Sequence, residues 1–353
     1  MRQTHVVQVI TSLDVGGAER VVLDLSSSLI DRGLCVTVVC IGGNSAILEQ
    51  EYDSRIRIVQ LGAGWKPRQL LGAAWRFTRV VAELNPSIVH AHMFHGLIAA
   101  LIWRIRRRDL RIVFTSHSSS VARWRRLIVH LTRGIRSCDI IFSSDQHTDI
   151  NAQRVEVIPN GTKLALRTAP RDGKVVGSRW ILVSVGRLLP PKTPLELVNA
   201  MARLGRSDVE LWFVGDGELR GEIENVATQL GLRSQISLLG VRADIPDILD
   251  RAHLLLLSSL REGMPLAVLE AGARGLPVLA TPVGSVPELL ADRCGYVAES
   301  VDFAANIETI IENYTEALTR GVRFQRRVIE RYSLDSMVKA HLLLYSSLLT
   351  SPS

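Results

Sequence analysis

Several things are scarce in this chain of 353 residues. Aromatic residues make up 5 % of it and cysteines number four, Cys35, Cys40, Cys138 and Cys294. So few rings exclude a binding surface built mainly from stacked aromatics. The cysteines form no C-x-x-C and are too few for a disulfide framework, which suits a reducing cytoplasm. No apolar run approaches the roughly 20 residues that cross a bilayer; the longest, 97–103 and 254–257, fall far short. The opening residues run straight into an apolar strand pattern, with no small-residue cleavage site of a secretory signal. The expectation is a cytoplasmic protein, either free or peripheral at the inner face of the plasma membrane.

What is present is an ordinary globular composition, 47 % hydrophobic and 22 % charged. At about 150 residues per domain the length suggests two domains. The charge is uneven. Residues 1–170 carry 22 Lys/Arg against 13 Asp/Glu, whereas residues 171–353 carry 20 against 22. Ten arginines at 104, 106, 107, 108, 111, 123, 125, 126, 133 and 136 meet only Asp109 and Asp139 nearby. Interleaved with Trp103, Leu110, Trp124, Leu127 and Ile128, they read as a basic surface for an anionic partner such as phospholipid headgroups or a lipid-linked diphosphate. Arg106, Arg107, Arg125 and Arg126 are its candidate acceptor or membrane contacts. A solvated helix face is the plainer alternative. No zinc spacing, RNP-like aromatics or helix-turn-helix accompanies the charge, so nucleic acid is not expected.

Short β-branched runs at 6–11, 36–41, 56–60, 87–90, 111–115 and 140–143 alternate with helical stretches such as 18–32 and 69–84. The apolar runs do not alternate in and out, as befits parallel strands covered on both faces. A polar Pro/Gly segment at 166–178 reads as a linker, after which strands restart at 180–186, 210–214, 235–239, 254–257 and 278–280. The expected fold is α/β, two doubly wound Rossmann-like domains facing across a cleft: a first domain at 1–168, a second at 177–335, and a C-terminal helix at 336–353 that could pack back on the first domain. In open α/β sheets ligands sit outside the carboxyl ends of the strands.

The strongest motif, Glu262-Gly-Met-Pro-Leu-Ala-Val-Leu-Glu270, follows an apolar strand. Pro265 suits the first position of a helix, and Gly263, Met264 and Leu266 complete a terminus whose unpaired amides attract phosphate. Glu270 lies roughly 7.5 Å further along the axis at 1.5 Å per residue, so two carboxylates flank the anion site and can accept hydrogen bonds from sugar hydroxyls. A capping Glu and an unrelated helical Glu would be the bland reading. The second motif places Arg187 and Lys192 after the strand at 180–186, where a guanidinium fork and an ammonium can neutralise a diphosphate. The third is the loop Leu13-Asp14-Val15-Gly16-Gly17-Ala18-Glu19, in which paired glycines permit close backbone approach; it is not a G-x-G-x-x-G fingerprint, and a tight turn explains it about as well. Gly215-Asp216 and Val241-Arg242 also follow strands and leave room for a base and ribose. His117 ends a strand and points to the same side. His90, His92 and His95 cluster, but without a carboxylate pattern to complete a metal site, so no metal is expected.

Together, the Gly-Gly-Ala-Glu loop, Val89-His-Ala-His92, Thr115-Ser-His117, Val157-Ile-Pro-Asn-Gly161, the Gly186-Arg…Lys192 loop, Phe213-Val-Gly-Asp-Gly-Glu218, the E-x7-E run, Gly275-Leu-Pro-Val-Leu-Ala280 and Gly284-Ser-Val-Pro-Glu288 resemble a family-four retaining glycosyltransferase of the GT-B fold. The resemblance covers nearly the whole chain and is most specific in the C-terminal half. It implies that Arg187 and Lys192 stabilise the diphosphate of a nucleotide-sugar, usually UDP-linked, that Glu270 holds the ribose, and that Glu262 holds hydroxyls of the transferred sugar. Gly16 and Gly17 would close over the phosphates, and His117 would contact the sugar near the reacting carbon. It further implies retention of configuration without metal or cofactor, and a glycan or lipid-linked acceptor in cell-surface polysaccharide synthesis. Thr193 departs from the family, which usually has glycine there. A nucleotide-sugar epimerase or a phosphorylase on the same fold, or a non-enzymatic basic binding module, are the rival expectations; no lysine-bound cofactor signature favours a phosphorylase.

Overall fold

The computed structural model describes residues 4–42, 52–63, 67–104, 107, 109–117, 123–144, 152, 154–163 and 179–350. The chain divides into two units, residues 1–161 with 334–353, and residues 162–333. The sequence expectation put the boundaries at 168 and 335. The crossings instead lie side by side: the Thr162 amide donates to Tyr332 O at 3.0 Å, and Thr162 bridges Ser333. The linker read at 166–178 lies outside the described residues.

The first unit runs β1 (His5–Ile10), α1 (Gly17–Asp31), β2 (Cys35–Gly42), β3 (Arg57–Ala63), α2 (Pro67–Leu84), β4 (Ile88–His92), α3 (Met93–Arg104), β5 (Arg111–Thr115), α4 (Arg123–Leu131), β6 (Cys138–Ile141) and β7 (Val155–Val157). All seven strands are parallel, in the order β3-β2-β1-β4-β5-β6-β7. Side chains alternate between faces with a period of two. Val7, Val9, Val89, Ala91, Ile112 and Phe114 therefore share one face and pack with Phe77, Leu97 and Trp103 of α2 and α3. Ile10 and Val38 turn the other way, onto Val22 and Leu23 of α1.

The second unit runs β8 (Trp180–Val185), α5 (Pro194–Leu204), β9 (Val209–Val214), α6 (Arg220–Gln229), β10 (Ile236–Leu238), α7 (Ile245–Arg251), β11 (Leu254–Leu257), α8 (Leu266–Ala273), β12 (Val278–Ala280), α9 (Val286–Leu289), β13 (Tyr296–Val297), α10 (Phe303–Glu312) and α11 (Tyr314–Arg331). Its six parallel strands are ordered β10-β9-β8-β11-β12-β13. Leu182, Leu211, Phe213 and Leu256 meet Val198, Met201 and Ile307 on one face. On the other, α11 lies so close to α8 that a side chain at Gly272 would strike Phe324 and Val328. The chain then returns to the first unit as α12 (Leu334–Thr350), which packs on α1.

In each sheet the strand order reverses once, between β1 and β4 and again between β8 and β11. Adjacent loops diverge at such a point and leave a crevice at the carboxyl edge. The loops that open there carry the motifs of the sequence: Gly16-Gly17 and His92 in the first unit, Arg187 to Lys192 and Glu262 to Pro265 in the second.

Candidate functional site

At the second unit's reversal the loops after β8 and β11 are tied together. Lys192 Nζ donates to Glu262 Oε1 at 2.5 Å, and Ser259 Oγ donates to the same oxygen at 2.7 Å. The Glu262 side chain is 11 % exposed and that of Lys192 32 %, so the pair lies half-sheltered at the crevice floor. The Leu260 amide donates to Pro191 O at 2.9 Å, and Ser258 Oγ donates to the carbonyls of Lys192 and Thr193 at 3.0 Å each. Thr193, where the family resemblance expects glycine, adopts φ 43°, ψ 51°. That left-handed conformation is costly for a β-branched residue. Its hydroxyl is fixed on Ser258 O at 2.5 Å, which compensates.

Pro265 is not the first helical residue. It is the N-cap of α8, extended at φ −73°, ψ 118°, and the helix starts at Leu266. Its carbonyl still accepts from Val268 and Leu269, whereas the Leu266 and Ala267 amides have no acceptor among the described residues. The terminus therefore offers two amides and the positive end of the helix dipole. Gly263 and Met264 are buried beneath it. The Gly263 carbonyl accepts from the Ser285 amide at 2.9 Å. Gly284, at φ +55°, approaches Glu262 O and Gly263 O so closely that any side chain would collide with them. Glu270 is half-buried on α8.

Arg187 is exposed, and its guanidinium has no partner among the described residues. Gly215, at φ +135°, packs its α-carbon against Gly186 O and donates to Gly240 O at 2.8 Å, which draws the loops after β8, β9 and β10 together. Asp216 is exposed and accepts from the Gly217 amide at 2.7 Å. Val241 is 50 % exposed. Arg242 is engaged by Asp244 through two bonds of 2.7 and 2.6 Å. The second unit thus ties the loop of Arg187 and Lys192 to Glu262 and the segment Gly263 to Leu266 that opens α8, and draws the Gly215 loop against the first of these.

The first unit is furnished differently. Gly16 caps α1, and the Glu19 carboxylate, in a residue 5 % exposed, curls back against the Gly16 α-carbon. A side chain at 16 would displace it. Gly17 opens the helix and is exposed. The histidines after β4 and β5 are not arranged around a vacant centre. His92 Nδ1 meets His117 Nε2 at 2.9 Å, His92 Nε2 meets Gln8 Oε1 at 2.7 Å, and His90 bonds Tyr345 and Thr115 at 2.7 and 2.8 Å. His95 lies apart, 3.5 Å from Thr11 Oγ1. Burial lowers the pKa of His90 and His92 well below the usual imidazole range and that of His117 to about 4.

The arginine cluster does not form one surface. Trp103 and Leu110 are buried, 4 % and 1 % exposed. Arg136 is buried in an ion pair with Asp139 at 2.6 Å. Arg104 donates to Leu110 O at 2.6 Å. Arg107 is paired with Asp109 at 2.7 Å and bonded to Asn85. It lines a cavity of about 620 Å³ with His5, Ser87 and Arg111, at the amino edge of the sheet. Arg125 sits instead between Phe94 and Trp124, 5.2 and 5.1 Å from the ring centres, near the carboxyl edge. Arg126 is exposed on α4, and Arg106 lies outside the described residues.

The comparison with known proteins agrees with the motifs. The family profile "Glycosyltransferase Family 4" matches residues 15–166, and "Glycosyl transferases group 1" matches residues 167–328. The chain belongs to the family-four glycosyltransferases. It is 32 % identical to the Escherichia coli UDP-Gal:alpha-D-GlcNAc-diphosphoundecaprenol alpha-1,3-galactosyltransferase over 176 residues, 46 % of either chain. It is 24 % identical to N-acetyl-alpha-D-glucosaminyl L-malate synthase of Bacillus anthracis over 95 % of each chain. Anabaena HepE, solved with UDP-glucose, superposes with a TM-score of 0.84 over 98 % of this chain and 100 % of its own, at 23 % identity. The fold of this glycosyltransferase is therefore GT-B. The epimerase and binding-module alternatives find no support among these relatives.

Sequence reasoning passed over Ser258, Ser259, Gln8, Tyr345 and His341. One signal was there. Gln8 interrupts the apolar run Val6-Val-Gln-Val-Ile10, and a polar residue inside a buried parallel strand needs a partner.

Proposed function

We propose that this glycosyltransferase moves a hexose-type sugar from a UDP-sugar to a glycan or lipid-linked acceptor, with retention of configuration and without a metal. The observation that carries the reading is the Lys192–Glu262 pair that ties the loop after β8 to the loop leading into α8, whose first two amides are unpaired among the described residues; the exposed Arg187 lies on the same loop after β8. A diphosphate fits that set: amides and cations stabilise negative charge as it develops on the departing group. Lys192 is held by Glu262, which leaves the Glu262 second oxygen to accept from a sugar hydroxyl. Glu270, further along α8, is assigned the ribose, and Gly16 and Gly17 the phosphates. The acceptor oxygen attacks the anomeric carbon on the face that the diphosphate leaves. The carbon–oxygen bond to the diphosphate breaks, and the acceptor proton passes to the departing phosphate oxygen. His117 contacts the sugar.

The donor class is favoured by the UDP-glucose bound in HepE and the UDP-galactose of the E. coli enzyme; the acceptor class by that enzyme's diphosphoundecaprenol substrate. Incubation with a panel of UDP-sugars and lipid diphosphate acceptors tests the reading. Transfer that survives a chelator and yields product with the donor's anomeric configuration supports it; an inverted product or a metal requirement contradicts it.

Contact with an anionic membrane belongs to the same reading. Among the described residues no helix is long and apolar enough to cross a bilayer. On α4, Trp124, Leu127 and Leu131 are 57, 58 and 70 % exposed. Their spacing puts them on one helix face, with Arg126 and Arg133 exposed nearby, a combination that suits an interfacial helix. Flotation with anionic liposomes should fall on Trp124→Ser with Leu131→Ser and be unchanged by Arg107→Ser, whose guanidinium is already paired. Flotation indifferent to the α4 pair overturns the assignment.

A further inference from the structure

Gln8, His90, His92 and Thr115 share the sheet face that α12 covers, and four buried or half-buried imidazoles gather there. The His90 and His92 ring centres are 4.1 Å apart, His92 and His117 5.2 Å, and His90 and His341 5.6 Å. Burial holds all four neutral, with His117 and His341 brought down to about 4. A neutral imidazole has one N–H and one lone pair, so every hydrogen bond between such rings has a direction. The direction must be set by a group whose ends differ chemically.

Gln8 is that group. Its Oε1 can only accept, so the proton lies on His92 Nε2, 2.7 Å away. His92 Nδ1 is then bare and accepts from His117 Nε2 at 2.9 Å. His117 Nδ1 is left as a lone pair, without a partner among the described residues, on a ring that is part-exposed at the end of β5. The other end of the Gln8 amide, Nε2, lies beside the Tyr345 hydroxyl short of hydrogen-bond geometry and has no hydrogen-bond partner among the described residues. Tyr345 in turn meets His90 Nδ1 at 2.7 Å, and His90 Nε2 meets Thr115 Oγ1 at 2.8 Å. Rotating the amide by 180° would reverse every proton along the row.

We infer that Gln8, which lies beside Tyr345 of α12 and acts through His92, is a positioning residue that fixes His117 as its Nε2–H tautomer and so leaves a bare Nδ1 as a hydrogen-bond acceptor. This gives His117 a defined role. It accepts from a hydroxyl and cannot donate to an oxygen at Nδ1, which suits a sugar hydroxyl and rejects a phosphate or carboxylate oxygen there. That role rests on the sugar-transfer reading above; the tautomer does not. Through Tyr345, 255 residues from His90, α12 is bonded to the same row of the first unit.

The test is the ring-nitrogen spectrum of the full chain labelled with ¹⁵N at histidine, the His117 signals being assigned by their loss in His117→Gln. The native protein should show a single Nε2–H tautomer at His117. Gln8→Met, which keeps length but removes both amide ends, should give a mixture, as should Tyr345→Phe, which removes only the hydroxyl on α12. With a matched donor, both variants should lower kcat about 3- to 10-fold without change in the pH profile. A native His117 with its proton on Nδ1, or an unchanged Nε2–H tautomer in both variants, overturns the inference. Should Gln8→Met fail to fold, Tyr345→Phe alone decides. The spectra need no substrate, so the expected tautomer with no transfer from any UDP-sugar would strike the functional reading and leave this one standing.

Discussion

The two units share a topology and differ in what they place at its reversal. Between β8 and β11 stand charges: an exposed Arg187, the Lys192–Glu262 pair and a helix terminus. Between β1 and β4, and on to the end of β5, the Glu19 carboxylate stands at the Gly16 turn, but the buried row is neutral, a glutamine and imidazoles bonded to one another. A charged group keeps its charge where water reaches it or a counter-ion balances it, whereas burial suppresses ionisation. The second unit is thereby suited to a ligand that arrives charged and leaves more so. On the proposed reading, the first offers a hydroxyl its acceptor at His117.

The largest effect expected from breaking this contrast lies at Arg187. Arg187→Ala should lower turnover by at least about 100-fold, the scale for losing one charge-stabilising donor. Because the side chain is exposed, the melting temperature should move little. Transfer assays beside thermal melts check both halves. Lys192→Ala should behave otherwise, costing turnover and, by leaving Glu262 nearly buried and unpaired, about 1–3 kcal/mol of stability. Denaturant titration should show Glu262→Gln restoring part of that stability, but no activity, in the double variant.

Acid separates the units in another way. The four histidines stay neutral in the fold and protonate when unfolded below about pH 6.5. The unfolded state then binds more protons, so stability falls as pH falls, by up to about 1.4 kcal/mol per pH unit for each such histidine. Hydrogen exchange corrected for intrinsic rate should show β1, β4, β5 and α12 losing protection between pH 7 and pH 5 before β8 and β11 do. The smallest effect is at Thr193. Thr193→Gly relieves a left-handed residue but loses its hydroxyl bond to Ser258, so stability should change by less than about 1 kcal/mol. Thr193→Val keeps the strain without the bond and should be the less stable of the two in the same titration.

Much of this was legible from the residues. The strands at Arg111–Thr115, Leu254–Leu257 and Val278–Ala280 fall where β-branched and leucine runs put them. The missed strands, Val155–Val157 and Tyr296–Val297, are too short to show a period. The arginine cluster misled for a geometric reason. A five-residue strand, β5, carries the chain roughly 17 Å across the sheet at about 3.3 Å per residue. Arg107 and Arg125, near in sequence, therefore stand at opposite edges. Lys192 and Glu262 were legible because both follow strands that topology makes neighbours. The Gln8–Tyr345 association was not, because only the fold brings the ends of the chain together.

Amide hydrogen exchange of the full chain with and without UDP bears on the whole account. Added protection should concentrate at the α8 terminus around Leu266 and in the loop from Arg187 to Thr193, and should weaken in Arg187→Ala. Protection confined to other segments, or equally strong in that variant, would contradict it.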